Sequence, residues 1–183
     1  MSFRRTSGII CGVNAIPPMP TAPAKPLVYL ETSFISYLTA RVSSDPKLAL
    51  DQAATRRWWE EESAKYFLCI SDIVIDEAGK GDALQVAARK EIIADLEVLP
   101  VSPEAERLAN RLIAVHAIPA QYKADAFHVG IAAVSSAKFL LTWNCRHIAN
   151  HEILPLTMET VTLAGYRCPW IETPAQFLES SHV

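Results

Sequence analysis

The sequence predicts an α/β fold in which a central parallel sheet of four or five strands is flanked by helices. Short apolar runs of strand length alternate with longer segments of helical pattern along most of the chain. Strands separated by helices pair in parallel through right-handed crossovers. Since half of the 183 residues are apolar, the chain is long enough to bury the core of one domain.

The strands are predicted from short apolar runs. Leu27–Leu30 is the clearest, because four apolar residues are followed directly by a carboxylate and two hydroxyls. Continuous apolar runs of this length are typical of buried parallel strands. The other predicted strands are, in chain order, residues 66–70, 97–100, 138–142 and 170–171.

The helices are predicted from their apolar spacing and from capping residues at their starts. The strongest start is Ser102, a capping residue followed by Pro103, Glu104 and Glu106 in the first turn. The predicted helices are residues 34–40, 46–64, a short helix that carries Glu77 and ends at Gly79, and then 83–96, 103–115, 124–137, 146–151 and 156–164.

Residues 1–26 are expected to form a disordered, proline-rich tail, and residues 27–183 to form the folded domain. Five prolines between positions 17 and 26 exclude a helix or a central strand there. Arg4 and Arg5 precede a weakly apolar stretch that resembles a signal peptide only faintly. An alternative is that translation starts at Met19.

Composition narrows the class of protein. A formal net charge of −3 and a pI near 5.9 do not indicate an indiscriminate nucleic-acid binder. No run reaches the roughly 18 to 20 apolar residues of a membrane span, so we expect no membrane partner. The four cysteines are Cys11, Cys69, Cys145 and Cys168. They are scattered without metal-ligand spacing, which favours free thiols and a cytoplasmic location.

Four polar side chains fall where a predicted strand ends or a helix begins: Glu31, Glu77, Asp125 and Asn144. In open α/β sheets the ligand crevice lies outside the carboxyl ends of the strands. Oxygen ligands suit Mg²⁺, and clustered carboxylates repel each other when no cation is present. A cation there lowers the pKa of a water and polarises a phosphoryl group, which points to phosphodiester hydrolysis.

Each of these residues also has an ordinary structural explanation. Glu31 fits a solvated strand end, and Glu77 fits the polar end of a helix. Asp125 fits a partner of the helix dipole. Asn144 is common in turns and caps.

The stretches around these residues resemble the PIN-domain ribonucleases that act as VapC toxins in VapBC toxin–antitoxin pairs. The matching segments are YLETSFI (29–35), SDIVIDE (71–77), KADAFHVGIA (123–132) and LLTWNCRHI (140–148). The resemblance implies a PIN-like α/β/α sandwich and endonucleolytic RNA cleavage with Mg²⁺ or Mn²⁺. It also implies a cognate antitoxin partner and a homodimer.

The resemblance assigns roles to residues of this chain. Glu31, Glu77 and Asp125 match the first three acids, as catalytic residues and metal ligands, and Asn144 matches the fourth catalytic position. Glu31 departs from the usual Asp and reaches one methylene further. Asn144 is neutral where the family often has Asp, which weakens a second metal position.

Further polar residues near these positions are expected to contact the RNA. The predicted substrate-binding residues are Thr32, Ser33, Lys123, Thr142, Arg146 and His147. His128 and His147 could contact phosphate or support the acids, but a structural hydrogen bond is the expected role of each. Trp58 and Trp59 fit core or dimer packing better than stacking on a base.

Two rival functions compete with RNA cleavage. One is a catalytically weak or inactive PIN-like module that binds RNA or a partner protein. The other is a phosphatase of the same α/β type. A phosphatase of the haloacid-dehalogenase type needs a DxD motif after the first strand, and Glu31-Thr32-Ser33 lacks it.

Overall fold

The computed structural model describes residues 25–180. The expected disordered tail, residues 1–26, lies almost entirely outside the described residues, as do Cys11 and the alternative start at Met19. Among the described residues, no helix has both the length and the apolar character needed to cross a membrane.

A five-stranded, fully parallel sheet forms the centre of the described domain, in the order β3-β2-β1-β4-β5. The strands are β1 (Leu27–Leu30), β2 (Phe67–Ser71), β3 (Glu97–Leu99), β4 (Phe139–Leu141) and β5 (Trp170–Glu172). The predicted α/β fold with a parallel sheet is confirmed. In the centre of the sheet, Tyr29 of β1 pairs with Cys69 of β2 on one side and with Leu140 of β4 on the other.

Helices connect the strands. They are α1 (Thr32–Thr39), α2 (Pro46–Glu61), α3 (Asp72–Ala78), α4 (Ala83–Ile93), α5 (Pro103–Ala114), α6 (Lys123–Val134), α7 (Leu154–Leu163) and α8 (Pro174–Glu179), with 3-10 turns at Ser63–Lys65 and Ala120–Tyr122. Two predicted caps form: the side chain of Asp82 accepts from Leu84 N, and that of Ser102 accepts from Ala105 N. The cap expected at Ser71 or Asp72 is wrong for Ser71, which is the N-cap of α3 but makes no side-chain capping bond.

Two segments differ from the prediction. The helix expected at residues 146–151 is wrong, because the chain makes two separate turns there. Asn144 O accepts from Ile148 N and Ala149 N, and Asn150 O then accepts from Leu154 N. Helix α8 was not predicted, although Thr173 and Gln176 form a capping box at its start.

Helix α6 is the most deeply buried helix in the described part of the chain. Its residues 126–133 are all buried between the sheet and α5. A Cβ at Gly130 would lie 2.7 Å from the backbone oxygen of Ala105, so the two helices touch where only a glycine fits. This contact fixes the position of α6 relative to the rest of the domain.

An aromatic cluster fills the core on the α2 side of the sheet. Trp58 is fully buried, and its ring centroid lies 5.4 Å from that of Phe34 and 5.7 Å from that of Phe177. The packing interpretation of Trp58 is therefore confirmed. Cys69, Cys145 and Cys168 are free thiols, and burial raises the pKa of Cys69 to about 12.

Candidate metal centre

Glu31 lies directly after β1 and caps helix α1. Its side chain is buried, with 5% of the residue exposed. Oε2 accepts hydrogen bonds from the backbone N–H of Ser33 at 3.0 Å, from the Ser33 hydroxyl, and from the Thr142 hydroxyl at 2.7 Å. Three donors on one oxygen hold the carboxylate in a single orientation, with its other oxygen, Oε1, 4.0 Å from His128 Nε2.

Glu77 reaches the same region from α3, which follows β2. Its Oε2 accepts from the Thr32 hydroxyl and lies 3.2 Å from His128 Nε2. Burial alone would raise the pKa of Glu77, but the hydrogen bonds from His128 and Thr32 outweigh it and hold that pKa below its ordinary value of 4.5.

His128 stands between these two acids. It projects from α6, is fully buried, and its Nε2 lies 3.2 Å from Glu77 Oε2 and 4.0 Å from Glu31 Oε1. On its other side, Nδ1 is hydrogen-bonded to the Tyr29 hydroxyl at 2.8 Å, which is bonded to the Ser71 hydroxyl at 2.6 Å. The structural hydrogen bond expected for His128 is confirmed.

Glu31, Glu77 and His128 form the group in the described residues that has the spacing of a metal site. One ligand atom from each lies within 4.8 Å of the other two. The donor set consists of two carboxylates and an imidazole, all capable of binding a divalent cation. These side chains fit a cation. Two of the three acids predicted as metal ligands, Glu31 and Glu77, belong to this group, and Asp125 does not.

Asp125 lies one helical turn before His128 on α6, so the two side chains share a helix face. Its Oδ2 is 3.0 Å from Nδ1 of His147. The His147 ring stacks on Tyr122 with the ring centroids 3.6 Å apart. Asp125 therefore pairs with a second histidine, on the helix that also carries His128.

Asn144 and Thr142 organise the turn after β4. The Asn144 side-chain oxygen accepts from His147 N at 3.0 Å, which is the cap or turn role considered for it. The Thr142 hydroxyl donates to Glu31 and accepts from Asn144 N at 2.9 Å. The turn therefore connects Glu31 to the segment that carries His147.

The residues predicted to contact substrate divide into two groups. The hydroxyls of Thr32, Ser33 and Thr142 bond to Glu31 or Glu77, so in this structure they position acids. Lys123 and Arg146 are exposed near the start of α6 and in the turn after β4. The Lys123 ammonium lies over the Phe127 ring, 5.2 Å from its centroid.

The sequence prediction did not identify Tyr29 and Ser71 as part of this region. Tyr29 lies within the apolar strand β1, and Ser71 is the last residue of β2. Residues at such positions in a sequence are normally interpreted as part of the buried sheet. The available signal was a histidine within the otherwise apolar helix that follows Asp125. A buried histidine needs polar partners, and these come from neighbouring strands.

Solved structures with a similar fold were found. One is a chain of VapBC2 from Rickettsia felis, whose structure was solved with a DNA fragment from the VapBC2 promoter. The sequence identity is 15% and the TM-score is 0.51, and the match covers 80% of this chain and 98% of that chain. Another is VapC20 of Mycobacterium tuberculosis, described as a sarcin–ricin loop cleaving toxin; it is 18% identical, with a TM-score of 0.47, over 62% of this chain and 86% of that chain.

Sequence comparisons add no further relatives. No protein-family model matches the chain, and no curated protein matches it in sequence. The similarity to the VapBC2 chain covers most of both chains and concerns the fold. The fold predicted from the resemblance is confirmed: this chain has the PIN-like α/β/α architecture found in VapC proteins.

Proposed function

We propose that this protein is a metal-dependent endoribonuclease that cleaves RNA phosphodiester bonds, and that it is the toxin of a toxin–antitoxin pair. The observation that carries the proposal is the convergence of Glu31, directly after β1, and Glu77, on helix α3 that follows the neighbouring strand β2. Buried carboxylates at the carboxyl edge of a parallel sheet are suited to binding a cation. The PIN-like fold supports the same reaction class.

In this proposal Glu31, Glu77 and Asp125 hold Mg²⁺ or Mn²⁺ at the catalytic site. When bound, the cation would lower the pKa of a water and neutralise charge on the scissile phosphate. Thr32 and Thr142 orient the two glutamates, since each donates a hydrogen bond to one of them. These bonds keep both carboxylates in place before the cation binds.

Other residues bind the substrate. Lys123, two residues before Asp125, and Arg146, two residues after Asn144, are exposed cations suited to RNA phosphates. His147 is held by Asp125 and Tyr122, so its remaining ring nitrogen is available to a phosphate oxygen. Asn144 supports His147 through the turn that it caps.

Partners and location belong to the same proposal. An antitoxin protein and a second copy of this chain are the partners that VapC-like proteins suggest, alongside RNA. The cytoplasm, where thiols remain reduced, suits the free Cys69, Cys145 and Cys168.

The alternative function is a PIN-like module that binds RNA or protein without cleaving RNA. The neutral Asn144 favours it, because its side-chain oxygen is used in capping the turn. A variant that removes charge at Asp125 separates the two functions, since binding by such a module does not need this carboxylate as a metal ligand.

The test uses Asp125→Asn, with Asp95→Asn as a control at an exposed acid outside the site. We expect the wild-type chain to cleave RNA only with Mg²⁺ or Mn²⁺, and Asp125→Asn to lose about 10- to 100-fold in rate. Both variants should melt like the wild type. RNA binding without metal-dependent cleavage by the wild type would favour the alternative module.

A further inference from the structure

Nε2 of His128 lies close enough to Glu31 and Glu77 for the three side chains to bind one ion. This nitrogen lies 3.2 Å from Glu77 Oε2 and 4.0 Å from Glu31 Oε1. Two ligands about 2.1 Å from the same ion are about 3 Å apart when adjacent and about 4.2 Å apart when opposite. Both measured separations fall within this range, and the ligand oxygens of Glu31 and Glu77 lie within 4.8 Å of each other, so shifts of less than about 1 Å bring all three side chains to one ion.

The partners of Nδ1 determine which tautomer His128 can adopt. To bind a cation through Nε2, the ring must carry its proton on Nδ1. There it can donate to the Tyr29 oxygen, 2.8 Å away, while the Tyr29 hydroxyl donates to Ser71 Oγ at 2.6 Å. When no cation is bound, the same three groups can reverse their donors, and Nε2–H then donates to Glu77.

Such an outer hydrogen bond is the usual support of a histidine ligand, because it fixes the tautomer and the ring orientation. Tyr29 and Ser71 belong to β1 and β2, the strands that end at Glu31 and at the start of α3. His128 itself lies on α6, which is fixed by the close contact of Gly130 with α5. The ring is therefore held before any ion arrives.

His147 is held by different partners from those of His128. Its Nδ1 is 3.0 Å from Asp125 Oδ2, and its ring stacks on Tyr122. It does not belong to the group of mutually close ligand atoms found in the described residues. This makes His147 the matched comparison for His128 within the same region.

We propose that His128 Nε2 is a direct ligand of the bound cation, with Glu31 and Glu77, and that Tyr29 and Ser71 form its supporting relay. This inference rests on the proposed metal-dependent function and adds a nitrogen ligand to it. Mg²⁺ is bound almost entirely by oxygen, whereas imidazole favours first-row transition metals. The site therefore selects Mn²⁺ over Mg²⁺.

The experiment uses the full chain with Mn²⁺ alone, and electron spin-echo envelope modulation as the readout. Nitrogen coupling to Mn²⁺ reports a directly bound imidazole, and labelling histidine with ¹⁵N assigns that coupling to histidine. We expect the coupling in the wild type and in His147→Gln, and its loss in His128→Gln. The ratio of Mn²⁺ to Mg²⁺ affinity should fall about 10-fold in His128→Gln.

The outcomes separate this inference from the proposed function. Mn²⁺ that binds without histidine coupling overturns the role of His128 and leaves the oxygen site standing. Coupling that survives in His128→Gln and disappears in His147→Gln also overturns it. A chain that binds no Mn²⁺ at all contradicts the metal-dependent function itself.

A second variant covers the case in which His128→Gln does not fold. Tyr29→Phe keeps the imidazole and removes its Nδ1 partner, so the coupling should remain while Mn²⁺ affinity falls about 10-fold. Tyr66→Phe, in the aromatic cluster, should change neither quantity. Unchanged Mn²⁺ affinity in Tyr29→Phe contradicts the supporting relay.

Discussion

Two acid–histidine pairs lie close together in this protein, and they are built differently. In the first, Glu77 meets fully buried His128, whose far nitrogen is bonded to Tyr29. In the second, Asp125 meets His147, whose side chain is 12% exposed and rests on the Tyr122 ring. The hydrogen-bond lengths are similar, at 3.2 Å and 3.0 Å, so the chemistry of the contact does not distinguish the pairs.

Their surroundings distinguish them. In the Glu77–His128 pair the histidine is fully buried on α6, the glutamate side chain is 29% exposed, and a second carboxylate lies beside the pair. The Asp125–His147 pair joins the start of α6 to the turn after β4, and both of its side chains are mostly buried, at 15% and 12% exposed. The first arrangement has the mutually close donor atoms of a metal site, and in the second His147 is the group that we propose for contact with a phosphate. Position relative to the sheet, more than residue type, separates these roles.

The largest expected effect comes from Gly130→Ala, because α6 carries a member of each pair. The added Cβ would meet the Ala105 backbone oxygen at 2.7 Å, so α6 must move away from α5. We expect a loss of about 2–3 kcal/mol in the free energy of unfolding, measured by urea denaturation, together with weaker Mn²⁺ binding.

Gly79→Ala is the matched control for this substitution. A Cβ at Gly79 meets its nearest atoms at 3.5 Å, an ordinary contact, and the backbone φ is −77°. This variant should be as stable as the wild type or more stable by about 0.4–1 kcal/mol. Equal effects of the two substitutions would show that the α5–α6 contact does not position the pairs.

Thr142→Val is expected to have the next largest effect. Thr142 joins Glu31, which lies beside the first pair, to the turn that carries His147 of the second pair. Its hydroxyl donates to Glu31 and accepts from Asn144 N, and Asn144 in turn caps the N–H of His147. Valine has the same shape but leaves these buried groups without that partner, at a cost of about 1–2 kcal/mol in unfolding free energy.

Thr160→Val provides the comparison for Thr142→Val. The Thr160 hydroxyl donates only within its own helix, to Leu156 O at 2.7 Å. Its loss should change the unfolding free energy by about 0.5 kcal/mol or less. If Thr142→Val proves equally mild and leaves Mn²⁺ binding intact, Thr142 does not link the two pairs.

The smallest effect concerns pH and tests the first pair alone. The pKa of Glu77 in the folded state lies below its ordinary value of 4.5. Stability from this group is therefore fully present above pH 4.5 and is lost as pH falls through the lower, folded-state pKa. Without divalent ions, Glu77→Gln should show a shallower loss of melting temperature below pH 4.5 than the wild type.

Asp76→Asn is the control for the pH experiment, since it changes an exposed carboxyl on the same helix. It should reproduce the wild-type slope. A Glu77→Gln variant with that same slope would indicate that His128 and Thr32 do not stabilise the ionised form of Glu77.

Local patterns in the sequence determined most of the architecture. Leu27–Leu30 was predicted with its observed ends, because four apolar residues stop at a carboxylate. The start of α5 at Pro103 followed from the Ser102 cap. The turns at residues 144–150 were not predicted. The Asn144 carbonyl accepts from Ile148 N and Ala149 N and closes a single turn, and apolar spacing does not distinguish such a turn from the start of a helix.

The convergence of Glu31 and Glu77 was expected from the sequence, because parallel strands end at one edge of a sheet. The place of His128 between them was decided only by the tertiary structure. Its partner Tyr29 is 99 residues away along the chain, and Tyr29 meets Ser71 across 42 residues. Such contacts depend on which strands pair and on how closely α6 packs, and packing follows from the shapes of surfaces that are distant in sequence.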